Sequence, residues 1–156
     1  MQLTLERTTT PTDDVRALVG ALNTELAQGY EPHQQHGLSL DKLFQPHIAF
    51  FIARVGGEAV GCGGVAFDDG FAEVKRMYVR PSARGMGVAQ AVLARLEAEA
   101  RAKGYRHLML ETGDDLAAAQ RLYERAGFRR CEAFGPYRTM RSHQIERSWF
   151  FEKLLG

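Results

Sequence analysis

Between Val79 and Gly104 the chain reads VRPSARGMGVAQAVLARLEAEARAKG, and the residues with chemical potential come first. Arg84-Gly85-Met86-Gly87 sets two alternating glycines behind an arginine, where a strand gives way to a long helix whose first turn carries no acidic side chain. A tight turn alone needs one glycine, usually beside Asn or Asp. A helix N-terminus carries roughly half a unit of positive charge and several N–H groups without partners, so an anion settles there readily. Glycines at Gly85 and Gly87 open the backbone to a group as large as a pyrophosphate, and Arg84 adds a full charge. The stretch is built to receive an anion from outside the chain.

Three readings of that anion site compete on the residues alone. A Walker phosphate loop needs GxxxxGK[ST], and no Gly-Lys-Ser/Thr occurs in the chain, which excludes it. A dinucleotide fingerprint needs GxGxxG/A directly after its strand; here Gln90 fills the third position and five residues separate Val79 from Gly85, although Glu111 stands where a ribose-binding acid belongs. A helix start with incidental glycines stays open beside it. Other reactive side chains are fewer. His33 and His36 form HxxH in a polar loop without a third ligand, so no metal is expected. Cys62 and Cys131 have neither CxxC nor His/Cys ligand spacing and read as reduced thiols, neither in a nucleophile-like setting.

The elements that must position these residues are ordinary globular ones. The 156 residues allow a single domain, 1–156, with one full core. A net charge of +1 and the lack of a basic block argue against nucleic acid, and no apolar run approaches the length of a membrane span or signal peptide. A cytoplasmic protein is expected, with a homodimer left open.

LTLERTT alternates as a first strand, and Thr12 caps a helix with Asp13 and Asp14 in its first turn and Val15, Leu18, Val19, Leu22 and Leu26 along one face. LSLDKLF reads as a short helix. HIAFFIARV and EAVGCGGVAFD form a hairpin around Gly56-Gly57, with Gly61, Gly63 and Gly64 marking a bulge or a close approach. FAEVKRMYV is the next strand, followed by a helix from about Gly87 to Lys103, the strand RHLMLET, and a helix LAAAQRLYERAG capped by Asp114 or Asp115. FRRCEAF and SWFFEKLL complete the sheet. Strand, crossover helix, strand is a right-handed parallel unit. The fold class is a mixed α/β (α+β) one: a mostly antiparallel sheet of six to seven strands with helices on both faces.

Arg84-Gly85-Met86-Gly87-Val88-Ala89 resembles the (Q/R)xxGx(G/A) pyrophosphate loop of the GCN5-related N-acetyltransferase (GNAT) superfamily. EVKRMYVRP resembles that family's fourth strand, and AAAQRLYERAGF its helix ending in LYxxxGF. The resemblance covers roughly Leu38 to Leu155. It implies an acetyl-CoA cosubstrate whose pyrophosphate takes N–H bonds from Arg84, Gly85, Met86, Gly87, Val88 and Ala89. Its pantetheine arm pairs along Met77, Tyr78 and Val79 like an added strand, and the N–H at or near Met77 polarises the thioester carbonyl.

By the same resemblance Tyr123 stands beside the coenzyme sulfur as general acid, a phenol with a pKa near ~10 facing a thiol of lower pKa. Glu73 stands where many members carry the glutamate that deprotonates the acceptor ammonium. The family's frequent helix-start Asn falls on Leu116, which offers no hydrogen bond. His36, Phe44, Phe67, Arg76 and Tyr137 are expected to line the acceptor pocket, and an arginine there favours a carboxylate-bearing acceptor. The implied activity is direct acetyl transfer to a primary amine of a small molecule or peptide. The alternative is a GNAT-like module that binds acyl-CoA without transfer.

Overall fold

The computed structural model describes residues 2–156. Its strands are β1 (Leu3–Thr8), β2 (Ile48–Val55), β3 (Glu58–Phe67), β4 (Ala72–Val79), β5 (His107–Gly113), β6 (Arg129–Cys131) and β7 (Ser148–Leu154). Its helices are α1 (Asp13–Ala27), α2 (Val88–Ala102), α3 (Ala117–Arg125) and the single turn α4 (Ser142–Ile145). The strands form one sheet in the order β1-β2-β3-β4-β5-β7-β6. Every neighbouring pair is antiparallel except β4 and β5. No helix of the described residues is long and apolar enough to cross a membrane.

Local sequence explains most of the elements. Thr12 Oγ1 accepts the Val15 N–H at 3.3 Å and Asp13 and Asp14 lie at the positive end of α1, as capping and the helix dipole favour. Gly56 and Gly57 both take positive φ in the β2–β3 turn, a conformation the right-handed twist of a hairpin prefers. Apolar side chains then sort to two faces. Val88, Val92, Leu96 and Ala100 of α2 pack with Tyr123 of α3 against Ala49, Phe51, Val65, Val74, Leu108 and Leu110. Val15, Leu18, Val19 and Leu22 of α1 pack on Phe50, Ile52, Cys62 and Tyr78 on the opposite face.

Three local readings need correction. Leu40–Phe44 is a 3-10 turn, not an α-helix. Neither Asp114 nor Asp115 caps α3; the cap position is Leu116, without a side-chain bond. Arg147 holds the Asp114 carboxylate at 2.9 Å and the Asp115 backbone N–H donates to the Tyr30 hydroxyl at 2.9 Å, so the loop joining β5 to α3 is tied to Arg147 and to the end of α1 instead. FRRCEAF is strand only over Arg129–Cys131, because Phe134 and the turn Gly135–Thr139 fold inward to bury Phe134 and Tyr137 against Phe150.

The feature that shapes the site lies in β4. Cys62 pairs with Tyr78 and Gly64 with Lys75, so Arg76 and Met77 together oppose Gly63. This is a bulge on β4, and Arg76 takes φ 55 within it. The extra residue resets the alternation of the strand. Glu73, Lys75, Arg76 and Tyr78 share the α1 face, while Met77 and Val79 turn to the α2 face with Val74. Gly63 is the matching requirement on β3: a Cβ there would stand 2.6 Å from Met77 Sδ and 2.7 Å from Val92 Cγ1. Gly63→Ala is therefore expected to destabilise by about 1–3 kcal/mol through overpacking, lowering Tm by several degrees. Urea or thermal unfolding measures it, and a neutral result would mean that α2 does not press on the bulge.

Candidate active site

Beyond Ala72↔Leu108 and Glu73↔Met109 the parallel strands β4 and β5 stop pairing. Their C-terminal halves diverge around a cleft with two connected parts. The larger, about 700 Å³, runs from Met77–Val79 past the Arg84–Gln90 loop to α3, a volume usual for a ligand of cofactor size. The smaller, about 130 Å³, lies between the Tyr30–Gly37 segment, Glu73–Met77 and Glu111–Gly113. Leu22, Leu26, Met77, Leu116, Ala119 and Tyr123 line both, so the two meet at Tyr123.

At the mouth of the larger part, Gly85 and Gly87 take φ 83 and φ 80, and α2 begins at Val88 with no acid in its first turn. The Ala91 N–H is the first to reach back into the helix, to Gly87 O at 3.1 Å, leaving Val88, Ala89 and Gln90 N–H groups without helical acceptors. A Cβ at Gly85 would meet nothing within 4 Å, and one at Gly87 only Gln90 Oε1 at 3.8 Å. The glycines thus serve the left-handed backbone and an open approach, not tight packing. Two residues of the loop differ from expectation. The Met86 side chain is exposed and does not line the cleft. Arg84 is not a free cation: its guanidinium grips Glu25 of α1 at 2.9 and 3.1 Å, bonds Val79 O at 3.0 Å and lies over Tyr78.

The smaller part is polar and tightly wired. Tyr137 donates its hydroxyl to Glu73 Oε2 at 2.6 Å, and Lys75 Nζ donates to the same oxygen at 3.3 Å, to the Tyr137 hydroxyl at 3.2 Å and to His36 O at 3.1 Å. Glu73 Oε1 has no protein partner yet is not sealed in, so it faces the cleft. His36 Nε2 meets Gln144 O at 2.7 Å and its ring stands edge-on to Tyr137. Across the cleft Glu111 accepts from Ser148 Oγ at 2.7 Å. Burial raises the Glu111 pKa, and the charge of Glu73 adds to the rise. Tyr123 is buried between Phe128 and Phe151, and burial followed by the charge of Glu111 pushes its phenol well above the ordinary range.

The residues expected at the site divide accordingly. Glu73, Arg76, His36 and Tyr123 line the cleft together with Met77, Tyr78, Val79 and the loop. Tyr137 does not line it and instead backs Glu73 from behind. Phe44 does not either: it packs edge-on against Phe50 in the core beneath α1. Phe67 faces the opposite side of the sheet, against Tyr105 and under Lys103 at the far end of α2, which at 1.5 Å rise per residue is ~20 Å from the loop. Lys75 was not expected here, and Glu111 only as a ribose-binding acid for a dinucleotide. Strand alternation offers a signal for both, since each shares the face of Glu73 or Met109 and carries a charge beside buried apolar neighbours.

A model of the "Acetyltransferase (GNAT) family" matches residues 18–128. An IAA acetyltransferase from Azospirillum brasilense is 42% identical over 137 residues, covering 86% of this chain and 90% of that protein. The chain belongs to the GNAT family. A solved structure from Klebsiella pneumoniae, provisionally assigned as an acyl-CoA N-acyltransferase, superposes with a TM-score of 0.79 at 34% identity and 99% coverage of both chains. The PaiA N-acetyltransferase of Thermoplasma acidophilum, solved with coenzyme A, shares the fold at a TM-score of 0.72, 14% identity and 99% and 100% coverage. The GNAT family uses acetyl-CoA, and the free N–H groups, open glycines and cleft volume of this chain fit such a ligand.

Glu111 has a consequence for stability. A carboxyl whose folded pKa lies above its unfolded value binds more protons in the folded state, so stability falls as pH rises from the unfolded pKa through the folded one. Glu111→Gln keeps an acceptor for Ser148 Oγ and removes that penalty. Its stability relative to the wild type should therefore grow from pH 5 to pH 8, read as Tm against pH. A difference that stays constant with pH would show that the carboxyl ionises as freely as in water.

Proposed function

We propose that residues 1–156 form a single N-acetyltransferase domain that moves the acetyl group of acetyl-CoA directly onto a primary amine. The observation that carries the reading is the junction at Tyr123, where a cofactor-sized cavity meets a small one walled by two carboxylates. The α2 N-terminus and the N–H groups from Gly85 to Gln90 hold the pyrophosphate. Met77 to Val79 present an edge for the pantetheine amides. Glu25 competes with the phosphates for Arg84, whose grip on α1 loosens when the coenzyme is in place.

The acceptor enters the smaller cavity as an ammonium, drawn by Glu73 and Glu111. Glu73 Oε1, open to the cleft, takes a proton directly or through water, and the freed amine attacks the thioester carbonyl. Holding the two reactants at this junction supplies most of the rate, since positioning replaces a bimolecular encounter. Met77 N–H, carried out of register by the bulge, stabilises charge on the carbonyl oxygen. Tyr123, kept protonated by its surroundings, donates a hydrogen bond to the leaving sulfur. Burial pushes the Cys62 thiol up to about 12 and Cys131 to about 11, and neither lines the cleft, so transfer runs without an acetyl-cysteine.

Saturating CoA should stabilise the protein by about 2.7 kcal/mol at a hundredfold excess over Kd, while NAD(H) does not. Acetyl-CoA-dependent release of free thiol across an amine panel tests transfer. Binding without thiol release would leave a coenzyme-binding module, the alternative that the apolar Leu116 at the junction keeps open and that Tyr123 with Glu73 argues against.

Two variants probe the parts. Gly87→Asp fits the left-handed backbone that Asp tolerates, and should abolish CoA binding in a folded protein by placing a negative charge beside the phosphates; wild-type affinity would remove the site from this loop. Tyr123→Phe should lower kcat by about 10²–10⁴ with little change in coenzyme Kd. A kcat within about twofold of wild type over pH 6–9 would make Tyr123 a packing residue.

A further inference from the structure

Arg76 is a buried cation that no acid answers. The residue is 9% exposed and sits within the wall of the smaller cavity. Its Nη2 donates to Asn23 Oδ1, and its Nε is buried with no partner. None of the ion pairs among the described residues includes it. Its chain neighbour Lys75 is by contrast fully paired. The nearby Cys62 is a neutral thiol near neutrality and supplies no countercharge.

Three features converge on keeping the guanidinium where it is. Arg76 holds φ 55, a backbone state that an arginine adopts only under constraint. That bulge swings its side chain from the α2 face to the α1 face, into the cleft. Gly37 completes the arrangement, because a Cβ there would overlap Arg76 Nη1. A left-handed backbone, a cleared neighbour and an uncompensated charge each oppose stability. Such conflicts between local preference and the final fold concentrate where a ligand resolves them.

We infer that Arg76 receives a carboxylate on the acceptor, so that the substrate is a small amine that also carries a carboxylate. This rests on the smaller cavity being the acceptor site. The polarity of that cavity suits a zwitterion: Glu73 and Glu111 answer the ammonium, and the uncompensated charge of Arg76 in the cavity wall answers the carboxylate. Both groups project from the same face of β4, three residues apart, with the transferred acetyl delivered from the Tyr123 side. A volume of about 130 Å³ admits a few-carbon molecule rather than a folded partner.

Matched pairs test the assignment: glycine against methylamine, β-alanine against ethylamine, and γ-aminobutyrate against propylamine, by thiol release with wild type, Arg76→Asn and Arg76→Lys. Asn takes the left-handed backbone readily and removes the charge. For at least one pair the wild type should favour the carboxylate-bearing amine by about tenfold or more, mainly through KM. Arg76→Asn should bring that ratio near unity and Arg76→Lys recover part of it. A ratio near unity in the wild type, or one that survives in Arg76→Asn, overturns the assignment.

Thermal stability of CoA-saturated protein with added β-alanine or propionate gives a second reading that needs no turnover. Stabilisation of the wild type but not of Arg76→Asn upholds the carboxylate site even if no amine is acetylated, in which case only the transfer reading fails. Equal response of the two proteins overturns it. Without ligand, Arg76→Asn should melt no lower than the wild type, because it relieves a buried charge; a fall of several degrees would instead make Arg76 a strut that ties α1 through Asn23.

Discussion

One extra residue in β4 governs the geometry of the whole site. By setting Arg76 and Met77 against Gly63 alone, the bulge breaks the register between β3 and β4 and bends the strand away from β5. The parting of the parallel pair after Glu73 is the cleft. The same insertion divides the side chains of β4: Glu73, Lys75 and Arg76 turn to the polar cavity, and Met77 and Val79 join Ala72 and Val74 on the core side under α2. A strand of regular alternation would send Arg76 into that apolar core. The left-handed backbone at Arg76 is thus the local cost of having the edge of the larger cavity and the polar wall of the smaller one on one strand.

The core is arranged to bear that cost. Val88 and Val92 of α2 press on Gly61 and Gly63, so the start of α2 is fixed against β3 and β4 at the point where its free N–H groups must aim into the cleft. Arg84 and Glu25 tie the loop to α1 on the other wall. Tyr30 ties the β5–α3 corner to the end of α1 through the Asp115 N–H, while Arg147 stacks on its ring and holds Asp114. Each wall of the cleft is anchored by contacts outside it, which is how a site between diverging strands stays open and ordered.

Much of this was legible in the sequence, and the boundary is physical. Periodicity placed β2, β3 and both long helices because the apolar faces of these elements are continuous, and Gly85 with Gly87 announced an anion loop because left-handed backbone leaves few alternatives to glycine. The three glycines of β3 were ambiguous between a bulge and a close approach, and the structure shows that they serve both. Phe44 and Phe67 illustrate what pattern reading lacks: an aromatic ring beside a site in sequence can turn to either side of a sheet, and each found a core partner instead. The cap at Asp114 failed because Arg147, distant in sequence, takes its carboxylate, and the Asp115 backbone is turned to Tyr30. Arg147 is 33 residues from Asp114, and no local rule reaches that far.

The charge pattern of the smaller cavity completes the logic. Lys75 neutralises Glu73 on one oxygen and Tyr137 bonds the same one, which fixes the carboxylate without occupying its other oxygen. Glu111 is held by a neutral hydroxyl alone, and its burial favours the protonated form. Two acids facing one cavity are thereby placed in different electrostatic settings: Glu73 is bonded directly by Lys75, whereas Glu111 feels Lys75 and His36 only through space and burial dominates. On the proposed function an arriving ammonium would add positive charge beside Glu111, so that acceptor binding and ionisation of that carboxyl would favour each other. Tyr123 feels the Glu111 charge, and in the proposed role it would become a stronger hydrogen-bond donor to sulfur once that charge is balanced. On the proposed function the acceptor would do more than fill the cavity: its charge would prepare two of the groups placed around the transferred acetyl.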